Sequence, residues 1–244
     1  MRGAFLLLLL SACQATQSAP QAQQSPCATR EFEGSRFTVC DPRTGEIRLV
    51  AAKAGETASR NFSDLLPGID SARVAFAMNG GMFDDDGRPI GLAVVGGQQV
   101  HAINRREGGG NFHLLPNGVF LVRSDGRAEV VETQAFKPAE DIQSATQSGP
   151  VLVIDGKLHP RIEPDGQSRY VRNGVGVRDG KALFVITQDP VSFGKLARFF
   201  RDRLKTPNAL YLDGSVSSLW DPAGNRQDSH SPLGPIVIVL KPAG

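Results

Sequence analysis

The chain has 244 residues, 40% of them hydrophobic and 21% charged, a balance that supports a packed body rather than a disordered one. Its formal net charge is only +2, with no Lys/Arg run and no basic patch interleaved with aromatics, so composition gives no footing to nucleic acid as a partner. After residue 12 no apolar run approaches the roughly 20 residues that a membrane helix requires.

Read from the start, Arg2 is a minimal positive segment and Ala4 to Leu10 form a short apolar run. Leu10-Ser11-Ala12-Cys13 then has the form of a lipobox, where small residues suit a signal peptidase that cuts before a lipid-modified cysteine. The expected division is a signal peptide at residues 1–12, a polar tether at 13–26 anchored by lipid on Cys13, and one domain over 27–244. The protein is then an exported, membrane-anchored lipoprotein facing the periplasm or the cell exterior. With Cys13 lipidated, Cys27 and Cys40 remain as an even pair in an oxidising compartment, which predicts a disulfide. It would close a loop of about 14 residues and contribute ~3 kcal/mol in the chain-entropy model. No CxxC, HExxH or close His pair is present, so zinc has no support; a divalent cation stays open, and no other cofactor is implied.

Through the body, short apolar runs bounded by turn residues read as strands. They are Val74 to Met78, Leu92 to Val95, Val119 to Val122, Val151 to Ile154, Val175 to Val177, Ala182 to Ile186, Ala209 to Leu212 and Ile236 to Leu240. Asp125-Gly126, Asp155-Gly156 and Asp179-Gly180 read as turns between them. A helix is predicted over Phe193 to Lys205, with Phe193, Leu196, Ala197, Phe200 and Leu204 on one face, Ser192 as its cap and Pro207 beyond its end. A weaker helix covers Asn61 to Leu66. Strands dominate and no βα rhythm appears, so the predicted class is α+β: largely antiparallel β-sheets with a few helices in a single compact domain.

Four segments set glycines and small polar residues against a buried strand, where a backbone can approach a ligand closely. They are Asn79-Gly80-Gly81-Met82-Phe83, Ser148-Gly149-Pro150, Arg172-Asn173-Gly174-Val175-Gly176 and Asp213-Gly214-Ser215-Val216-Ser217. Each alone reads first as a turn or strand end; the order and spacing of all four carry more. Asp84-Asp85-Asp86-Gly87 lacks the alternating spacing of a calcium loop and reads as a solvated acidic turn. Gly108-Gly109-Gly110 is not followed by Gly-Lys-Ser/Thr, and no Gly-x-Ser-x-Gly elbow occurs.

Together the four segments resemble the phosphodiester glycosidase family over roughly Val74 to Leu240. Asn79 to Phe83 is similar to its Asn-Gly-Gly-Phe-Phe, Ser148-Gly149 to its Ser-Gly before an apolar strand, and Arg172 to Gly176 to its Arg-Thr-Ala-hydrophobic-Gly. Val185 to Pro190 resembles the strand that ends in Asp-Gly and places Asp189. Asn208-Ala209-Leu210 with Asp213 to Ser217 resembles the closing Asp-Gly-Gly-Gly-Ser signature, here altered to Asp-Gly-Ser-Val-Ser.

The resemblance implies hydrolysis of a sugar joined through its anomeric carbon to a phosphodiester, with a phosphate-bearing saccharide or glycan as substrate. Asp213 and Asp189 are then the catalytic carboxylates. Arg172 grips phosphate, while Asn79, Ser148, Asn173, Ser215 and Ser217 offer polar contacts. Backbone N–H groups at Gly80-Gly81 and Gly214 offer an anion nest. The rival reading is a non-catalytic lipoprotein of the same fold that holds a glycan or sugar phosphate; the altered glycine signature favours it. Convergence of Asp213, Asp189 and Arg172 on one concave pocket favours the enzyme.

Overall fold

In the computed structural model, which describes residues 24–242, three antiparallel sheets meet around a shared core. The expected signal peptide and the expected lipidation site at Cys13 lie outside the described residues. The first sheet orders its seven strands as Cys27–Phe32, Ser35–Cys40, Lys181–Thr187, Asn173–Arg178, Asn208–Tyr211, Val151–Ile154 and Lys157–Leu158. The second runs Arg226–Gln227, Leu219–Asp221, Val74–Asn79, Ile236–Leu240 and Glu46–Val50. The third runs Gln98–His101, Ala93–Val95, Ile142–Ser148, Gly118–Arg123 and Ala128–Glu132. Each predicted strand is present to within a residue or two at its ends, and the α+β class with antiparallel sheets holds.

One aromatic from each sheet joins the three. Phe184 of the first packs edge-on against Phe76 of the second, with ring centroids 5.6 Å apart, and against Phe120 of the third at 5.5 Å. All three rings are buried, so no sheet can leave without exposing the faces of the other two.

Local chemistry explains the connections. Asp155-Gly156 and Asp179-Gly180 place both residues at positive φ, the backbone that a tight hairpin turn requires and that Asp-Gly tolerates. Cys27 and Cys40 stand opposite each other in the first hairpin and are bonded, with Cα atoms 4.0 Å apart. Ser192 caps its helix as expected, accepting from the Lys195 N–H at 3.1 Å. The helix itself departs from expectation. It is α-helical only over Phe193–Arg198 and widens to a π turn over Phe199–Arg203. A wide turn lets two consecutive rings, Phe199 and Phe200, both face the core, where Phe199 stacks on Phe37 with centroids 3.9 Å apart. The weaker predicted helix is a 3-10 helix, Phe62–Gly68, with Asn61 and Asp64 forming a reciprocal capping box.

Candidate active site

Strand Asn208–Tyr211 alternates its faces. Leu210 and Leu212 enter the core between the sheets, while Tyr211 and Asp213 face the opposite way, onto a cavity of about 510 Å3. That volume falls within the range of small-molecule sites. Asp213 is held just past the strand by its backbone. Its N–H donates to the Gly80 carbonyl at 3.1 Å, and its own carbonyl accepts from Asn79 Nδ2 at 2.6 Å. Its Oδ1 accepts from the Ser215 hydroxyl at 2.6 Å and the Ser215 N–H at 3.2 Å. Among the described residues Oδ2 accepts no hydrogen bond, although the residue is only 9% exposed. Burial pushes the carboxyl above its ordinary range, and the two Ser215 bonds partly oppose the rise.

Arg172 comes to the same cavity at the start of the neighbouring strand Asn173–Arg178. It is 1% exposed, and its guanidinium carbon lies 3.7 Å from the Phe193 ring centroid. Nε donates to the Val191 carbonyl at 2.9 Å, Nη2 to the Ser168 carbonyl at 3.1 Å and hydroxyl at 3.0 Å, and Nη1 to the Tyr211 hydroxyl at 3.3 Å. Among the described residues no carboxylate pairs with it. Desolvation pulls its pKa down, as it must for a buried cation without a counter-ion. Asn111 and Ser215 complete the polar lining, Met82, Phe83 and Ile90 form an apolar wall, and Tyr170 stands 62% exposed among the lining residues.

The other predicted site residues are placed differently. Asn79 and Asn173 are buried in a knot behind Asp213. Asn79 Oδ1 accepts from Asn173 Nδ2 and from the Ser218 N–H, both at 2.9 Å. With its Nδ2 on the Asp213 carbonyl, Asn79 sets where the carboxylate stands rather than lining the cavity. Gly80 and Gly81 do not present a nest, because their N–H groups are taken by the Pro235 carbonyl at 2.7 Å and the Thr146 hydroxyl at 3.0 Å. A Cβ on Gly81 would stand 2.2 Å from the Gln147 carbonyl, so this glycine serves a close backbone approach. Ser217 donates to the Gly214 carbonyl at 3.0 Å and Ser148 is fully buried; neither lines the cavity. Nor does Asp189. Its carboxylate is on the surface, paired with the Arg36 guanidinium at 3.0 Å and the Arg36 N–H at 2.8 Å, which hold its pKa low. The structure thus brings Asp213 and Arg172 together and leaves Asp189 outside.

Tyr211, Tyr170, Ser168 and Asn111 line the cavity without having been singled out by sequence. Two had a signal. Tyr211 and Tyr170 each sit two positions before a residue that was, Asp213 and Arg172, and extended chain puts such pairs on one side.

Among the described residues no group of three or more His, Cys, Asp or Glu is placed to hold a metal ion, and no helix is long and apolar enough to cross a membrane.

The family model described as phosphodiester glycosidase matches residues 72–239. An uncharacterized protein of Escherichia coli (strain K12), YigE, is 38% identical over 190 residues, which is 77% of this chain and 74% of that protein. A solved structure of the zebrafish N-acetylglucosamine-1-phosphodiester alpha-N-acetylglucosaminidase catalytic domain, auto-inhibited by its pro-peptide, superposes with a TM-score of 0.60. That match is 15% identical and covers 89% of this chain and 82% of the other. A putative exported protein from Burkholderia pseudomallei K96243 superposes with a TM-score of 0.50 at 13% identity, covering 85% and 74%. At such identities these two are likenesses of fold.

Proposed function

The chain belongs to the phosphodiester glycosidase family, and from that premise we propose that it is an envelope hydrolase that cleaves a sugar from a phosphodiester at the anomeric carbon. The observation that carries the reading is a buried guanidinium with no acid partner among the described residues, sharing a cavity with one raised carboxyl. An anionic phosphate supplies the counter-charge that Arg172 lacks. Asp213 is the group for the anomeric carbon, either as nucleophile or as base toward a water, and its raised pKa suits proton transfer. A second strong acid is not demanded, because a departing phosphomonoester, with a second pKa of about 6, is already a good leaving group.

The test is turnover by purified protein of a panel of sugar-1-phosphodiesters beside neutral nitrophenyl glycosides. The expected result is release of sugar and phosphomonoester from the former. Binding of sugar phosphates without release would instead establish the non-catalytic glycan-binding reading, which the single carboxylate among the lining residues favours.

We place the protein on the outer side of the cytoplasmic membrane, anchored through Cys13. The Cys27–Cys40 disulfide supports an oxidising compartment, and the likeness to a putative exported protein is in keeping with it. Cys13→Ala is expected to move the protein from the membrane fraction to the soluble one. Unchanged partitioning, with no lipid mass on the wild type, would remove the anchor from this reading.

A further inference from the structure

Three groups meet at the phenol of Tyr211. Arg172 Nη1 donates to its oxygen at 3.3 Å, the Gly214 N–H approaches the same oxygen, and Asp213 stands near enough to act on it electrostatically. The ring cannot swing away. It is buried, and Phe193 meets it edge-on with centroids 4.7 Å apart. Gly214 is shaped around the phenol as well, since a Cβ there would stand 1.9 Å from the Tyr211 oxygen. The oxygen thus faces two donors while its own proton has no acceptor among the described residues, and the residue lines the cavity. A phenol in that position can only donate toward the cavity.

The cavity also lacks something a glycosidase ordinarily has. Glycoside hydrolysis uses two carboxyls, one of them serving the leaving group, yet Asp213 is the one carboxylate among the lining residues. We propose that Tyr211 is a catalytic residue of this site, its hydroxyl donating the hydrogen bond taken up by the departing phosphate oxygen. The inference rests on the hydrolase reading above. As the bond between the anomeric carbon and the bridging oxygen breaks, its electron pair goes to that oxygen. The new bond forms from Asp213 or from a water whose proton passes to Asp213. The phosphomonoester leaves as an anion held by Tyr211 and Arg172, and both keep their protons. Burial, opposed by Arg172, keeps the phenol protonated at neutral pH. Ser168 also carries a hydroxyl at the cavity, but it is exposed, and a donor in water gains little when charge develops.

Tyr211→Phe keeps the ring and its packing and removes the donor. On sugar-1-phosphodiesters kcat should fall by about 10²-fold, the range seen when one donor to a developing oxyanion is lost, with KM changed by less than about threefold. Gly214→Ala, whose Cβ would press on the phenol oxygen without deleting it, should reproduce the loss, and melting temperatures of both variants near that of the wild type guard against a folding defect. Both are also titrated with inorganic phosphate, a readout that needs no turnover. Weaker phosphate binding by both variants, about fivefold or more, supports the donor even if the wild type hydrolyses nothing and the hydrolase reading fails. Variants with wild-type kcat on a substrate that the wild type does hydrolyse overturn the inference and leave the hydrolase reading standing. So does phosphate binding by both variants equal to that of the wild type, or none by any of the three.

Discussion

Asp213→Asn is expected to reduce turnover of sugar-1-phosphodiesters by at least 10²-fold, and about 10⁴-fold if the carboxylate is the nucleophile, without lowering stability at neutral pH. Asparagine fills the same volume and still accepts the Ser215 bonds through its amide oxygen, so the local turn is kept. What it removes is a buried negative charge. Burial raises the Asp213 carboxyl in the folded chain, whereas the unfolded chain has the ordinary value of about 3.9. The folded state therefore binds more protons across the interval between the two values. Stability from this group is fully present below the unfolded value and is lost as pH rises through the raised one. A melting series from about pH 4 to 7 should show the wild type losing ground to Asp213→Asn as pH rises. Turnover should move the other way, rising with pH as the carboxylate forms. Full activity in the variant, or a Tm deficit that persists at every pH, would take Asp213 out of the catalytic role.

Apolar strands were legible because their function is burial. Ile236–Leu240 and Val151–Ile154 read as strands from composition alone, and they are. Ile142–Ser148 was not legible, although it lies between two strands of its sheet and is almost wholly buried. Five of its seven residues are Gln, Ser or Thr, and the side chains of Ser144, Thr146 and Gln147 are taken by distant partners. Ser144 accepts from the Leu49 N–H at 3.1 Å, Thr146 from that of Gly81 at 3.0 Å, and Gln147 from those of Leu92 and Asn104, both at 2.9 Å. No hydrophobic period records such pairing. The same blindness explains the site. Asp213 and Arg172 could be singled out where strands meet glycines, but local sequence does not reveal that Arg36, 153 residues away, claims Asp189. Nor does it reveal that Thr146 fills the Gly81 N–H, or that the Asn79 amide turns back toward its own chain rather than outward.

Arg172→Met is expected to weaken binding of inorganic phosphate and of sugar phosphates by about 10²-fold or more, while neutral nitrophenyl glycosides change by less than about threefold. A hydrogen bond to a charged group contributes about 1.5–3 kcal/mol, and with four of its N–H groups taken by Val191, Ser168 and Tyr211, Arg172 keeps one on Nη1, together with its charge, for a phosphate. Buried arginines that serve structure come paired with carboxylates, because an unpaired buried charge is costly. This one is buried without such a partner among the described residues, and its stacking on Phe193 fixes the plane of the fork. Methionine replaces the stem and leaves no carboxylate orphaned, but it removes the donors to the Val191 and Ser168 carbonyls, so Tm should fall, and binding is compared well below the melting range of the variant. Arg172→Lys restores charge but not the planar fork, and should recover only part of the affinity. Because the charge is buried, wild-type phosphate binding should also depend on ionic strength less than an exposed basic patch would. A methionine variant that binds phosphate as tightly as the wild type would show that the guanidinium serves only structure, through Phe193 and its hydrogen bonds to Val191, Ser168 and Tyr211. The phosphate half of the proposed substrate would then have to be held elsewhere, and Asp213 would be left acting on an uncharged glycoside.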